Sequence, residues 1–153
     1  GIAELEVTQT QGGAKTIRQT EARLSQKAGL TILERLSTSL TQFLESSLDI
    51  DLAADDATAQ VTLRSVAQQQ SKQFFDFKLD GNAKCRGAVE CNSIILDEAE
   101  VSYNPKITSF NADAQLLQNT TIGKISSDQL TKLMCWGLTE NEAKNTILQG
   151  FLN

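Results

Sequence analysis

The sequence contains no histidine. That removes imidazole from every scheme of catalysis or metal binding: no Ser–His or Cys–His nucleophile pair, and no His-ligated zinc or iron. Cysteine is nearly as scarce. Cys85, Cys91 and Cys135 are too few and too unevenly spaced for a disulfide framework, and read as reduced thiols. Proline occurs once, at Pro105, and the aromatics are six Phe, one Tyr and one Trp. No apolar run approaches the roughly 20 residues that a membrane-spanning helix needs. The segment Gly1–Glu6 carries neither the basic start nor the apolar stretch of a signal peptide, so the expected location is the cytoplasm. Acidic residues outnumber basic ones 19 to 14, a net charge of −5, which argues against a protein that tracks phosphates along a nucleic acid.

What remains in the 153 residues is alternation. Ala3, Leu5 and Val7 alternate with Glu4, Glu6 and Thr8; Leu48, Ile50 and Leu52 with Asp49 and Asp51. Ala57, Ala59, Val61 and Leu63 alternate with Thr58, Gln60, Thr62 and Arg64, and Phe75, Phe77 and Leu79 with Asp76, Lys78 and Asp80. Side chains that alternate in this way lie on opposite faces of an extended chain. Shorter strands are expected near Val89–Cys91, Ile94–Leu96 and Ala99–Tyr103. Between Thr31 and Phe43 the pattern is ambiguous, because Leu33, Leu36 and Leu40 also suit one face of a helix. The strand centres recur about every dozen residues. That rhythm fits an antiparallel sandwich or a solenoid in which each strand stacks on an earlier one. Only Asp80-Gly81 and Gly12-Gly13 read as hairpin turns, and this scarcity favours the solenoid.

From residue 126 onward the pattern changes to helical. Ser126 with Gln129, then Thr139 with Glu142, form two capping boxes, and Ile125 with Leu130 is placed as a hydrophobic staple. Leu130, Leu133 and Met134 make one apolar stripe; Ala143, Ile147, Leu148 and Phe151 make another. Gly137 is positioned to end the first helix in a left-handed conformation. The spacing predicts a β core over 1–125 and two helices over 126–136 and 139–152, which either cap an open solenoid end or form a docking surface.

Candidate chemistry is thin. Cys85 and Cys91 are six residues apart, roughly 20 Å if extended, too far for a disulfide or a shared metal unless Gly87 bends the chain. Alternation places Cys91 on the face opposite Glu90 and Asn92, compatible with burial. Asp49, Asp51, Asp55 and Asp56 lack the glycine of a calcium loop and read as a solvated face, and the run Asp97-Glu98-Ala99-Glu100 reads as a solvated turn. Isolated Gly87, Gly123 and Gly137 make no phosphate-cradling loop. Trp136 fits a core anchor or a partner contact.

The string Cys-Arg-Gly-Ala-Val-Glu-Cys-Asn-Ser-Ile-Ile-Leu-Asp (85–97) resembles the SufB/SufD family, the scaffold subunits of the SUF system for iron–sulfur cluster assembly. The resemblance continues through Tyr103-Asn104-Pro105 and Thr121–Ile125, then Asp128-Gln129-Leu130, Leu133-Met134, Gly137–Ala143 and Gly150-Phe151-Leu152. It implies a right-handed parallel β-helix followed by a small helical region. It also implies a second SufB/SufD-like subunit paired through the β-helix, and a SufC-type ATPase docked on the helices. ATP-driven movement of that ATPase would reshape the scaffold; no stand-alone enzyme activity is implied.

Carried over residue by residue, the resemblance makes Cys91 the candidate cluster or metal ligand. Gln118 and Asn119 stand where many members have histidine and an acidic residue, so that site is degenerate. An amide offers iron neither thiolate nor imidazole. The expected cofactor is therefore none held stably, at most a transient iron–sulfur cluster. Leu130, Leu133, Met134, Trp136, Ile147 and Phe151 are the expected ATPase-docking side chains. Family members have a longer β-helix before this region, so the chain reads as a C-terminal fragment. Two other readings are a dimerisation module without a cluster, and a β-helical carbohydrate-active enzyme using Asp49 and Asp51. Neither a nucleic acid nor a membrane is an expected partner.

Overall fold

The computed structural model describes residues 1–9 and 14–153; the Gly12-Gly13 turn lies outside them. Nine strands appear among the described residues: β1 (Ile2–Gln9), β2 (Lys15–Leu24), β3 (Gly29–Thr38), β4 (Phe43–Leu52), β5 (Thr58–Ala67), β6 (Lys72–Gly81), β7 (Arg86–Ile95), β8 (Glu100–Ser109) and β9 (Gln115–Gly123). Two helices follow, α1 (Ser127–Cys135) and α2 (Glu140–Leu152). No strand pairs with its sequence neighbour. Odd strands form one parallel sheet in the order β1-β3-β5-β7-β9, and even strands a second in the order β2-β4-β6-β8. Each coil thus adds one strand to each sheet, and the chain is a parallel β-solenoid. In the first sheet the coils repeat from Ile2 to Gly29, Thr58, Arg86 and Gln115. The sandwich alternative is thereby excluded.

Because the register is continuous, residues of like phase stack in columns. Inside the first sheet run Leu5–Ile32–Val61–Val89–Gln118 and Val7–Glu34–Leu63–Cys91–Thr120. In the second the inward phase runs Thr20–Leu48–Phe77–Pro105 and Ala22–Ile50–Leu79–Ile107, with Pro105 in the last coil exposed. The expected inward residues of β4, β5 and β6 are buried: Leu48, Ile50, Leu52, Val61, Leu63, Phe75, Phe77 and Leu79. Phe75, Phe77 and Tyr103 stack there, with ring centroids 5.0 to 6.2 Å apart. Pro105 lies in β8, the terminal strand of its sheet, where a missing N–H is tolerated.

Two open readings are resolved and one expectation, the Asp80-Gly81 turn, is corrected. The ambiguous stretch is strand β3 with no helix: Ile32, Glu34, Leu36 and Thr38 point inward, and Leu40 occupies the corner after it. Asp80-Gly81 is no hairpin turn but the end of β6. Gly87 does not bend the chain; it sits within β7, where a Cβ would lie 3.0 to 3.2 Å from the methyls of Leu79, Leu52 and Leu116. Its lack of a side chain lets the two sheets approach closely.

The corners carry the backbone strain. Lys27, Leu40, Asp56, Gln69 and Asp97 all have φ between 56° and 61°, the left-handed region. Each non-glycine residue there costs about 1–2 kcal/mol. Stacking offsets the cost through hydrogen bonds between coils. The Leu40 N–H donates to Gln69 Oε1 (2.5 Å), and the Gln69 N–H to Asp97 Oδ2 (3.0 Å). Of the run expected as a solvated turn, Asp97 and Glu98 are an exposed turn, whereas Ala99 is buried and Glu100 opens β8.

The mostly apolar interior also encloses polar side chains. Toward the corner that follows β3, β5 and β7, Thr38 Oγ1 donates to Ser71 Oγ (2.9 Å) and accepts from Gln73 Nε2 (2.8 Å). Ser65 and Ser93 hydroxyls pair at 2.5 Å, and Ser93 also bonds the Tyr103 hydroxyl. Burial pushes that hydroxyl up to about 12, against the opposing effect of the Ser93 hydrogen bond. Arg18 from β2 meets Glu34 from β3 at 3.1 Å. Burial raises the Glu34 carboxyl above its ordinary 4.5, and the Arg18 charge pulls the other way.

Three stability measurements follow from this packing. Leu40→Gly relieves a left-handed leucine at the cost of a more flexible unfolded chain, so it should stabilise by about 0.5–1 kcal/mol. Gly87→Ala should destabilise by about 1–3 kcal/mol through overpacking. A thermal or denaturant melt checks both signs. Glu34 binds its proton more tightly folded than unfolded. Its contribution therefore favours folding below pH 4.5 and is lost as pH rises through the raised folded value. Glu34→Leu alone strands the Arg18 charge and should cost up to about 3 kcal/mol. That single change already removes this part of the pH profile, and adding Arg18→Met should recover most of the lost stability; melts across pH 4 to 7 (roughly the window for a raised carboxyl) measure both.

Candidate docking groove and the placement of the thiols

The two helices are built by local signals. Ser126, with extended backbone, accepts from the Gln129 N–H at 3.5 Å, the hydroxyl half of a capping box, and Asp128 adds an acid to the first turn. At the other end Gly137 takes φ +100°, its N–H donating to Met134 O (3.0 Å) while the Leu138 N–H donates to Leu133 O (3.3 Å). This pair of bonds is a Schellman motif, and it turns the chain sharply into α2. Thr139 and Glu142 complete a full capping box, with bonds of 2.8 and 3.2 Å. Ile125 and Leu130, the expected staple, are both half-buried.

The helical pair does not cap the open end of the solenoid. It lies along the outer face of the first sheet, with α2 against β5. Ala143 and Leu148 are buried, and so is Val66, which the alternation of β5 would otherwise leave in solvent. Arg64 Nη1 donates to the Asn153 carbonyl at 2.8 Å and fastens the end of α2 to that face.

Between the helices runs an apolar groove of about 510 Å³. Leu133 and Trp136 form one wall, Ile147 and Phe151 the other, and Ile94 from the outer face of β7 contributes to the floor, with Gln129 and Lys132 also lining it. Trp136 is 77 % exposed. Of the six docking candidates the groove brings together four: Leu133, Trp136, Ile147 and Phe151. Leu130, half-buried, and Met134, exposed, lie outside its lining. Ile94 was missed by sequence reasoning, because its outward phase became meaningful only once α2 was seen to lie on this sheet.

The thiols are separated. Cys91 points into the core, fully buried in the column between Leu63 and Thr120. Burial, then the charges of Glu34 and Glu90, push its thiol up to about 12. Cys85 is buried at the corner before β7; burial raises its thiol, a backbone hydrogen bond at Ala83 opposes this, and Asp55 adds to it. Cys135 is exposed at the end of α1. Gln118 faces inward and donates to Thr120 Oγ1, whereas Asn119 is exposed on the opposite face of β9. Cys91 pairs in register with Thr120, not with either amide. Among the described residues no three His, Cys, Asp or Glu side chains are grouped to hold a metal ion. A cluster needs several thiolates or equivalent donors, and one protonated, enclosed thiol does not fit that need.

Asp49 and Asp51 lie on the outer face of the second sheet as expected. Asp51 is held by Arg23 (3.7 Å) and Asn82 (2.6 Å), and the depression beside Asp49, about 370 Å³, also contains Lys78 and Lys106. The nearby Phe75 and Phe77 rings are inside the core, so no aromatic platform for a sugar stands there. No helix among the described residues is long and apolar enough to cross a membrane.

Comparison with known proteins agrees with the resemblance carried by the C-terminal motifs. The family described as "SUF system FeS cluster assembly, SufBD core domain" matches residues 2–151. An iron–sulfur cluster assembly SufBD family protein of Methanocaldococcus jannaschii is 30 % identical over 104 residues, 67 % of this chain and 33 % of that protein. One of Pyrococcus horikoshii is 39 % identical over 67 residues, 44 % of this chain and 21 % of its own length. One of Staphylococcus haemolyticus is 28 % identical over 103 residues, 65 % of this chain and 22 % of its own length. The matched stretch spans a third or less of each of these relatives. With nearly its whole length matched, the chain belongs to the SufBD core-domain family of the SUF system for iron–sulfur cluster assembly.

Proposed function

We propose that the chain is a scaffold component of iron–sulfur cluster assembly, acting in the cytoplasm and without catalytic chemistry of its own. In this reading the groove between α1 and α2 docks a SufC-type ATPase, and the solenoid pairs with a second SufB/SufD-like subunit. The observation that carries it is the groove itself. Four apolar side chains converge on an open trough, and its largest member, Trp136, is mostly in solvent. Large exposed apolar surface is characteristic of a binding site, and tryptophan is among the residues that dominate interface energies. The anchoring of α2 on β5 supports the same reading, since a load placed on the helices reaches the sheet through Ala143, Leu148 and the Arg64–Asn153 bond. Ile94 carries it on to β7.

For the second subunit the supporting feature is the unpaired edge of β9, the terminal strand of its sheet, with Leu117 (72 % exposed) and Ile122 on it and Phe110 at the preceding corner. Such an edge offers free backbone groups to another chain. The carbohydrate-active alternative finds no comparable support, because Asp51 is already engaged by Arg23 and Asn82.

Co-purification with the matching ATPase tests the docking role. Trp136→Asp or Ile147→Asp should weaken binding at least about 30-fold, the equivalent of a 2 kcal/mol interface anchor. Met134→Asp, outside the groove, should leave it within about threefold. Equal binding by the wild-type chain and both groove variants would remove the helices from the interface.

A further inference from the structure

We propose that this chain holds no iron–sulfur cluster on its own side chains, so that the thiolates on which a cluster forms come from outside these 153 residues. This rests on the scaffold reading above and sharpens it, since it assigns the chain the part of a non-ligating partner.

The argument is one of placement. The three thiols occupy three separate surroundings: Cys85 at an enclosed corner, Cys91 inside the core, Cys135 on a helix outside it. The first sheet separates Cys91 from the helices, which lie on the sheet's outer face. Along extended β7, six residues separate Cys85 from Cys91, about 20 Å. A four-iron cluster is only a few ångströms across, so no two of these sulfurs reach one cluster while the coils stay paired. Histidine, the usual substitute for a cysteine ligand, is absent from the whole sequence. The two amides of β9, Gln118 and Asn119, offer nothing in its place. Neither amide supplies a thiolate or an imidazole, and Asn119 projects from the other face of β9. The column around Cys91 is closed above and below by Leu63 and Thr120, so the thiol fills core space as a small apolar residue does.

Two measurements decide it. In the first, the chain is co-expressed with the matching ATPase and scaffold subunit, and the complex is reconstituted anaerobically with ferrous iron and sulfide. Iron, acid-labile sulfide and visible absorption per complex should be unchanged by Cys91→Ala, and equally by Cys91→Val, which keeps the core filled should alanine loosen it. Loss of half or more of the iron in either variant, with the complex intact by size, overturns the proposal. In the second, the native chain is titrated with a thiol reagent. One thiol should react quickly and disappear in Cys135→Ser, the other two appearing only on unfolding. A second fast thiol lost in Cys91→Val also overturns the proposal. The titration needs no partner. Absence of a complex would therefore count against the scaffold reading alone, and the thiol count would still decide this one.

Discussion

The parallel pairing of each strand with the strand one coil earlier is the constraint on which everything else depends. A register of 27 to 29 residues, kept from Ile2 to Gln115, converts the alternation of each strand into columns that run through the molecule. A residue's phase then decides its surroundings for every coil at once. The same pairing closes the corners. Left-handed Leu40, Gln69 and Asp97 stack with side-chain bonds from one coil to the next, which a hairpin-connected sandwich would have no means to form.

Function follows from which face each column occupies. Cys91 lies in an inward column and is shut away; Ile94, three residues later, lies outward and helps floor the groove. One strand thus lies beneath the groove and beside the core thiol. The helices are not a lid on the end of the solenoid but a plate on its side, held by Val66, Ala143, Leu148 and the Arg64–Asn153 bond. The end of the solenoid at β9 is left with an unpaired edge. Two different surfaces are therefore available for the two partners of the scaffold reading.

Sequence made some of this legible and hid the rest for physical reasons. The inward residues of β4, β5 and β6 were plain, because alternation of Leu48, Ile50 and Leu52 or of Phe75, Phe77 and Leu79 is a local property. The caps at Thr139–Glu142 and Gly137 were plain for the same reason. The pairing of strands was not, since alternation is the same in a sandwich and a solenoid. β3 was obscured because its true inward set includes Glu34, a charge that only the Arg18 partner from another strand makes tolerable, while Leu33, Leu36 and Leu40 mimicked a helix. The corners gave no glycine signal, because Leu40 and Gln69 adopt the left-handed region without one. The groove was half legible: its four helical side chains belong to recognisable stripes, but Ile94 joins them only through the fold.

The central claim is that the helical plate on the first sheet is where a nucleotide-driven partner attaches. Hydrogen–deuterium exchange of the chain with and without the matching ATPase tests it most directly. The account predicts slower exchange across residues 127–152 on binding, with the outer face of the second sheet unchanged. Protection confined to that second sheet, with α1 and α2 exchanging as in the free chain, would contradict it.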